Sequence, residues 1–272
     1  MDRRKALYLM AGAAVPVIGG SAAVASAATT PQATPAAITP KSVLWSADTT
    51  RGTAVFDGLE KSPGNISVAD DPQGRYGKSF RYDIWDWANG KERCESRGMR
   101  GTDGKRFELG NARLGQTFYF GWRALWSPLP ITTGRWTALY QLHVSGVPSG
   151  GLNVGPFVLR TLGDKTLHFQ HISPDGSDRH IWNAPLRIDQ WQSFVIGFKL
   201  SRGSDGWVEF FYNGVAQKLS NGQFRYPGAT LWGTHVNTKW GIYRSGGNSG
   251  KGSAYLNHAQ LGQSLADVAA PL

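Results

Sequence analysis

Short segments that are apolar or alternate between apolar and polar residues recur from residue 43 to the end of the chain, separated by turn-forming residues. We find no sustained 3.6-residue apolar stripe of the kind that predicts an amphipathic helix. Segments of this length between turn signals are typical of β-strands. The predicted strands are Phe80–Trp87, Gln116–Trp126, Trp136–Val144, Phe157–Thr161, Thr166–His171, Ser193–Leu200, Trp207–Tyr212, Lys239–Tyr243 and Ala254–Leu261.

The number of these strands favours an all-β fold. Asn213-Gly214, directly after one of them, is a hairpin-type turn signal. Because helix-length segments are missing, we exclude α/β folds with a parallel sheet and predict a two-sheet β-jelly-roll sandwich of the concanavalin-like type.

Side chains two residues apart in a strand share a face, and three predicted strands place polar groups together in this way. In Trp136–Val144, alternation assigns Trp136, Ala138, Tyr140 and Leu142 to the core. The polar sets are Arg93, Glu95 and Arg97 on one strand, Gln141 and His143 on the second, and Lys239 and Tyr243 on either side of Gly241 on the third.

The first 42 residues differ in composition from the rest of the chain. Arg3, Arg4 and Lys5 precede an apolar stretch, and Ala25-Ser26-Ala27 resembles a cleavage site, so residues 1–27 are predicted to be a signal peptide. The paired arginines are compatible with the twin-arginine route. We interpret residues 28–42 as a disordered Pro/Thr/Ala linker and residues 43–272 as one secreted domain.

The amino-acid composition limits which metals, cofactors and partners the protein can be expected to bind. One cysteine excludes a disulfide framework and a multi-cysteine zinc site, and six scattered histidines give no metal motif. We therefore predict no metal site and no cofactor, although a structural calcium ion is compatible with the sequence. The net charge of +10 indicates an anionic partner: nucleic acid, a membrane surface or an acidic polysaccharide.

Three motifs resemble those of the jelly-roll polysaccharide lyases of the heparin lyase I and glucuronan lyase group, and the alginate lyases of the same fold carry a related trio. The motifs are Arg93-Cys94-Glu95, Gln141-Leu142-His143 and Lys239–Arg244. The resemblance extends over about residues 43–262. It implies cleavage of a uronic-acid polysaccharide by β-elimination, in which C5 loses its proton and the C4–O bond breaks.

The residue types suit this reaction. Arg93 and Gln141 can neutralise the carboxylate beside C5, and His143 and Tyr243 are the candidates for base and acid. If the C5 hydrogen and C4 oxygen lie on one side of the ring, Tyr243 alone can serve both steps. If they lie on opposite sides, His143 is the base and Tyr243 the acid. The resemblance implies that Tyr243 is the acid in either case, and we expect Glu95 to orient Arg93 or His143.

Other side chains are expected to bind the rest of the polymer. The cations and histidine predicted for this role are Arg97, Lys239, Arg244 and His235, with Arg81, Lys105 and Arg123 as further candidates. Trp85 or Trp87 is expected to stack on a sugar ring. Because cations near the motifs are few, the sequence slightly favours a glucuronan-type substrate over alginate or over heparin and heparan sulfate.

Two other classes of function remain open at this stage. A non-catalytic carbohydrate-binding module would keep the tryptophans and the basic face. A sandwich-fold glycoside hydrolase would need two carboxylates at a suitable separation, for which Asp83/Asp86, Glu92/Glu95 and Asp70/Asp71 are the close pairs. We expect a monomer that binds neither nucleic acid nor a membrane.

Overall fold

The computed structural model describes residues 42–86 and 92–272. The predicted signal peptide, the linker up to residue 41 and Trp87 lie outside the described residues. In the described part of the chain, no helix combines the length and the apolar character that a membrane crossing needs.

Almost all regular structure is β. The helical elements are two 3-10 helices, Thr49–Val55 and Asn111–Arg113, and the single-turn α1, Leu265–Val268. The strands are β1 (Val43–Ser46), β2 (Gly58–Ser62), β3 (Asn65–Asp70), β4 (Lys78–Ile84), β5 (Glu92–Arg97), β6 (Met99–Arg100), β7 (Arg106–Phe107), β8 (Leu109–Gly110), β9 (Thr117–Trp126), β10 (Thr137–Ser145), β11 (Phe157–Thr161), β12 (Thr166–Ile172), β13 (Asp178–Pro185), β14 (Gln192–Lys199), β15 (Trp207–Tyr212), β16 (Val215–Ala216), β17 (Arg225–Pro227), β18 (His235–Arg244) and β19 (Gly252–Gly262).

The strands form two large antiparallel sheets. The nine-stranded sheet has the order β16-β15-β14-β9-β19-β4-β3, with β1 and β17 paired at its sides. The eight-stranded sheet has the order β13-β12-β11-β10-β18-β5-β2, with β8 paired to β18. Two antiparallel sheets with crossovers between distant strands confirm the predicted sandwich.

Aromatic rings from the two sheets meet between them and fill the core. Trp122 of β9 stacks on Tyr140 of β10 with ring centroids 4.4 Å apart, and Phe169 of β12 stacks on Phe210 of β15 at the same distance. All four side chains are buried. Burying one large apolar side chain contributes about 1.5–3 kcal/mol, so these contacts hold the sheets together without a disulfide.

The strand predictions agree with the structure in most places. β11 and β15 have the predicted bounds, and Asn213-Gly214 forms the turn between β15 and β16 with positive φ at both residues. Strand β13 was not predicted. A register irregularity at its pairing with β12 places Ile181 and Trp182 next to each other in the buried layer, so the apolar alternation is lost.

One predicted face is wrong because of a second irregularity. The register of β10 shifts between Ala138 and Tyr140, which reverses the alternation in its first part. Leu139 therefore joins the core, whereas Trp136 and Ala138 pack with Tyr243 on the outer face of the eight-stranded sheet. A bulge of this kind re-aims side chains, and here it adds an aromatic ring to the polar face.

Candidate active site

The order of strands in the eight-stranded sheet brings the three polar motifs together. Strand β18 lies between β5 and β10, with Tyr243 opposite both Arg93 and Ala138. Four residues earlier in β18, Lys239 lies opposite both Arg97 and Gln141. Residues about 50 and 100 positions apart in the sequence thus become neighbours, about 4.8 Å per strand.

The outer face of this sheet carries two adjoining depressions, which we call the groove. The first, of about 240 Å³, is lined by Arg93, Gln141, His143 and Tyr243, together with residues of β11 and of the 153–155 loop. The second, of about 390 Å³, lies along β2 and is also lined by Arg93 and Tyr243. The Arg93–Tyr243 pair therefore stands at the junction of the two halves of the groove.

The Tyr243 ring is held from two directions. The Arg93 guanidinium carbon lies 3.8 Å from the ring centroid of Tyr243, and Trp136 packs edge-on to the same ring at 4.8 Å. A guanidinium on an aromatic face is attracted by the ring quadrupole. These two contacts fix the orientation of the ring and place a cation on its face.

Glu95 lies beneath the groove floor and holds two of the predicted catalytic residues. Gln141 Nε2 donates to Glu95 Oε1 at 2.7 Å, and Arg93 Nε lies 3.3 Å from Glu95 Oε2. The side chain is fully buried. Burial raises the pKa of Glu95 to about 7, although Lys239 and Arg93 oppose this shift. These contacts suit an orienting role toward Arg93 and Gln141 rather than a reaction with substrate.

Glu60 of β2 is a groove residue that the sequence did not indicate. Its carboxylate accepts from Lys239 Nζ at 3.0 and 3.1 Å and from Arg93 Nη1 at 2.9 Å, and Arg97 Nη1 lies at 3.8 Å. Burial alone would raise the pKa of Glu60, but Lys239 and Arg93 together lower it. Because β2 is a largely polar segment without alternation, no strand was predicted there.

His143 is suited to receive a proton. Its ring lines the first depression. Burial, followed by the nearby cations Lys239 and Arg93, lowers the pKa of His143 to about 4. The imidazole is therefore neutral near pH 7, and one of its two ring nitrogens carries a lone pair that can accept a proton.

Two residues predicted to bind substrate lie elsewhere. Arg244 faces the sandwich interior with no exposed surface, where it pairs with Glu92 and donates to the Gly250 carbonyl at 2.7 Å. That prediction was wrong because successive residues of β18 point to opposite sheet faces, and Tyr243 takes the groove side. Trp85 is 42% exposed but lines a separate depression with Arg81.

Arg97, Lys239 and His235 are on the groove face in different settings, and Arg123 is not on this sheet. Arg97 is partly exposed and near Glu60, whereas Lys239 is only 4% exposed and is committed to Glu60. His235 lies at the far end of β18, where Asn237 and Glu108 are its neighbours, and it lines neither depression of the groove. Arg123 is on the nine-stranded sheet, bound to Asn257.

Cys94 points into the core, as expected for a small inward-facing residue, with its Sγ 3.3 Å from the Asn65 carbonyl oxygen. Among residues 42–86 and 92–272, no group of three or more His, Cys, Asp or Glu side chains is arranged to hold a metal ion.

Comparison with known proteins identifies the class. A family model described as polysaccharide lyase matches residues 47–259, so the chain belongs to the polysaccharide lyase family. The protein is therefore a lyase, and the hydrolase and non-catalytic module interpretations are set aside. A search of curated protein sequences found no match.

Three solved structures align with this chain. An endo-β-1,4-glucuronan lyase from the fungus Trichoderma reesei aligns with a TM-score of 0.60 at 13% identity, covering 78% of this chain and 93% of that one. Alginate lyases from Pseudomonas aeruginosa and Corynebacterium sp. align with TM-scores of 0.48 and 0.47, at 18% and 16% identity. They cover 72% and 76% of this chain, and 86% and 84% of theirs. At 13% identity, the similarity to the glucuronan lyase supports the jelly-roll fold and nothing more specific.

Proposed function

We propose that this lyase cleaves a uronic-acid polysaccharide by β-elimination in the groove of the eight-stranded sheet. The observation that carries the proposal is the convergence of Arg93, Gln141, His143 and Tyr243 on one depression. These four residues come from three strands, and together they supply what the reaction needs: carboxylate neutralisation, a base and an acid.

The first requirement is to stabilise charge next to C5. A proton beside a carboxylate is weakly acidic because its loss puts a second negative charge next to the first. Donors fixed around a developing charge are commonly the largest catalytic contribution. Arg93 and Gln141 provide guanidinium and amide N–H groups, and Glu95 contacts both of them, so little reorganisation is needed when charge develops.

The second requirement is proton transfer. The base takes the C5 proton, the electron pair forms the C4–C5 double bond, the C4–O bond breaks, and the acid protonates the leaving oxygen. Tyr243 is the acid in this scheme. For a substrate whose C5 hydrogen and C4 oxygen lie on opposite sides of the ring, neutral His143 is the base. For a glucuronate-type chain, with both on one side, Tyr243 takes the proton and returns it.

We favour an unsulfated glucuronan-type polymer as the substrate. The Glu60 carboxylate and the partly ionised Glu95 side chain offset part of the positive charge of Arg93, Lys239 and Arg97 near pH 7. A densely sulfated chain would need more unpaired cations than this half of the groove offers. The fold similarity to a glucuronan lyase is in keeping with this choice.

A panel of polymers tests the proposal. The purified protein is incubated with glucuronan, alginate, heparin, heparan sulfate and hyaluronan, and the ultraviolet absorbance of the C4–C5 double bond is followed with viscosity. We expect the fastest rise in absorbance on glucuronan. Loss of viscosity without absorbance would indicate hydrolysis, binding without cleavage would indicate a module, and either result would contradict the proposal.

We also infer that the protein is exported by residues 1–27 and acts as a monomer outside the cell. The basic N-terminal residues, the apolar stretch and the Ala25-Ser26-Ala27 site support export. Mass spectrometry of protein from the culture medium should give a chain that begins at residue 28. A chain that retains residues 1–27, or a dimer in light scattering, would contradict the respective part of this inference.

A further inference from the structure

The groove continues beyond the catalytic residues onto strands that the proposed reaction does not use. Across the sheet, Tyr243 lies opposite Ala138, Ala138 opposite Arg160, and Arg160 opposite His168. Ala138 is small, so nothing large stands between Tyr243 and Arg160 along this row. Arg160 is two strands from Tyr243, about 10 Å between backbones.

Arg160 belongs to the same depression as the four catalytic residues. Its side chain is 21% exposed, and its Nη2 bonds Asp178 Oδ2 at 2.8 Å. Its Nε is buried and has no hydrogen-bond partner. A guanidinium has five N–H donors in a fork that matches a carboxylate, so one acidic partner at Nη2 leaves donors for a second anion.

Polar side chains border Arg160 on the side of β12 and β13, whereas Ala138 and Val158 are its apolar neighbours on the other side. In this region, Gln170 Nε2 lies 3.4 Å from Asp178, His168 Nε2 contacts Asp164 at 3.0 Å, and the His180 ring packs against His168. Asp178 and His180 are exposed at this end of the sheet. These polar side chains continue the lining of the catalytic depression along the sheet face. Such a surface is suited to binding a polar polysaccharide chain rather than to packing against another part of the protein.

We propose that Arg160 binds a second carboxylate of the substrate, on a sugar of the same chain that lies over β11 while the cleaved sugar lies over β10 and β18. This inference rests on the proposed function and makes it more specific. It predicts that the enzyme prefers polymers in which uronate sugars lie close together along the chain. A chain in which neutral or N-acylated sugars separate the uronates presents fewer carboxylates to Arg160.

Steady-state kinetics on glucuronan test the role of Arg160. Arg160→Ala should raise KM about tenfold, the loss expected for one partly exposed, charge-assisted hydrogen-bonded contact, while kcat changes little. Arg160→Lys should recover part of the loss because it keeps the charge. Arg179→Ala is the matched control: it removes the same charge from an exposed residue of β13 that does not line the groove depressions, and KM should stay unchanged.

Binding to an inactive background separates this inference from the proposed reaction. In Tyr243→Phe protein, calorimetry compares glucuronan oligosaccharides with carboxyl-reduced ones. Arg160→Ala should weaken binding of the uronate form about tenfold and leave binding of the reduced form unchanged. Equal binding with and without Arg160 would overturn the inference even if the wild type performs elimination. Failure of elimination on every polymer would instead overturn the proposed function.

Discussion

Replacing Glu60 by glutamine removes the carboxylate shared by the groove cations while keeping the size of the side chain. Lys239 loses an anion that it contacts through both oxygens, at 3.0 and 3.1 Å, and Arg93 loses one at 2.9 Å. Lys239 is only 4% exposed, so water cannot replace the carboxylate. The variant therefore leaves a nearly buried ammonium group beside a neutral amide.

The expected loss follows from this burial. Removing one partner of a buried ion pair costs about 3–5 kcal/mol. The Glu60 side chain is 24% exposed, so solvent screening reduces the cost to roughly 2–3 kcal/mol. For a domain of this size, each kcal/mol shifts the melting temperature by about 2–4 °C. We expect Glu60→Gln to melt roughly 4–12 °C below the wild type.

Equilibrium unfolding in urea measures this difference and its pH dependence. Because its cationic neighbours lower the pKa of Glu60 in the folded state, the stabilisation is present at neutral pH and is lost as pH falls through the folded-state value. The gap between wild type and variant should therefore close in acid. Asp70→Asn is the control, since the Asp70–Lys78 pair is largely exposed and its loss should change stability little.

Equal urea midpoints for wild type and Glu60→Gln at neutral pH would refute this reasoning. A gap that widens toward acid would refute it as well, because the sign of the linkage would be reversed.

The remaining predictions concern three other residues. His143→Ala should lower kcat by about 10²–10⁴-fold on a substrate that uses His143 as base. Wild-type activity on that substrate should fall as pH decreases through about 4, where the imidazole becomes charged. A pH–rate profile in which activity is lost near pH 6.5 would contradict this. Burial raises the pKa of Glu95 to about 7 from an ordinary 4.5. As pH rises, Glu95 therefore ionises in the unfolded chain before it ionises in the folded protein. The free energy of unfolding of the wild type, relative to that of Glu95→Gln, should fall by about 3 kcal/mol between pH 4.5 and pH 7. A difference that stays constant across urea titrations at these pH values would show that Glu95 does not titrate in this range. Arg244→Ala should destabilise the protein by about 3–5 kcal/mol in urea unfolding without a specific rise in KM, whereas a raised KM at unchanged stability would restore Arg244 to the binding surface.

The sequence was sufficient to predict the fold and the location of the catalytic candidates in strands. Apolar alternation predicted most long strands, and the polar faces of β5, β10 and β18 were assigned correctly for Arg93, Gln141, His143 and Tyr243. Their adjacency was not predictable from alternation, because it depends on which strands pair across long connections. The family resemblance supplied that expectation, and the strand order provides its geometric basis.

Most features that the sequence did not reveal lie where the alternation of apolar and polar residues is interrupted or absent. Alternation fails where a bulge inserts a residue, as before Tyr140 in β10 and at Ile181 in β13. It also gives no signal for a polar strand such as β2, which carries Glu60. Arg244 was assigned to the substrate surface because of its charge. Adjacent residues of a strand point to opposite faces of the sheet, so Arg244 cannot share the groove face with Tyr243.

Tyr243→Phe is the most direct test of the proposed active site. Phenylalanine keeps the ring that contacts Arg93 and Trp136, so the variant should melt and bind polymer like the wild type. The measurement is the initial rate of ultraviolet absorbance increase on the polymer that the wild type cleaves fastest. We predict a loss of at least about 100-fold, as expected for removal of a proton-transfer group. A variant that retains the wild-type rate would contradict the assignment of this groove as the catalytic site.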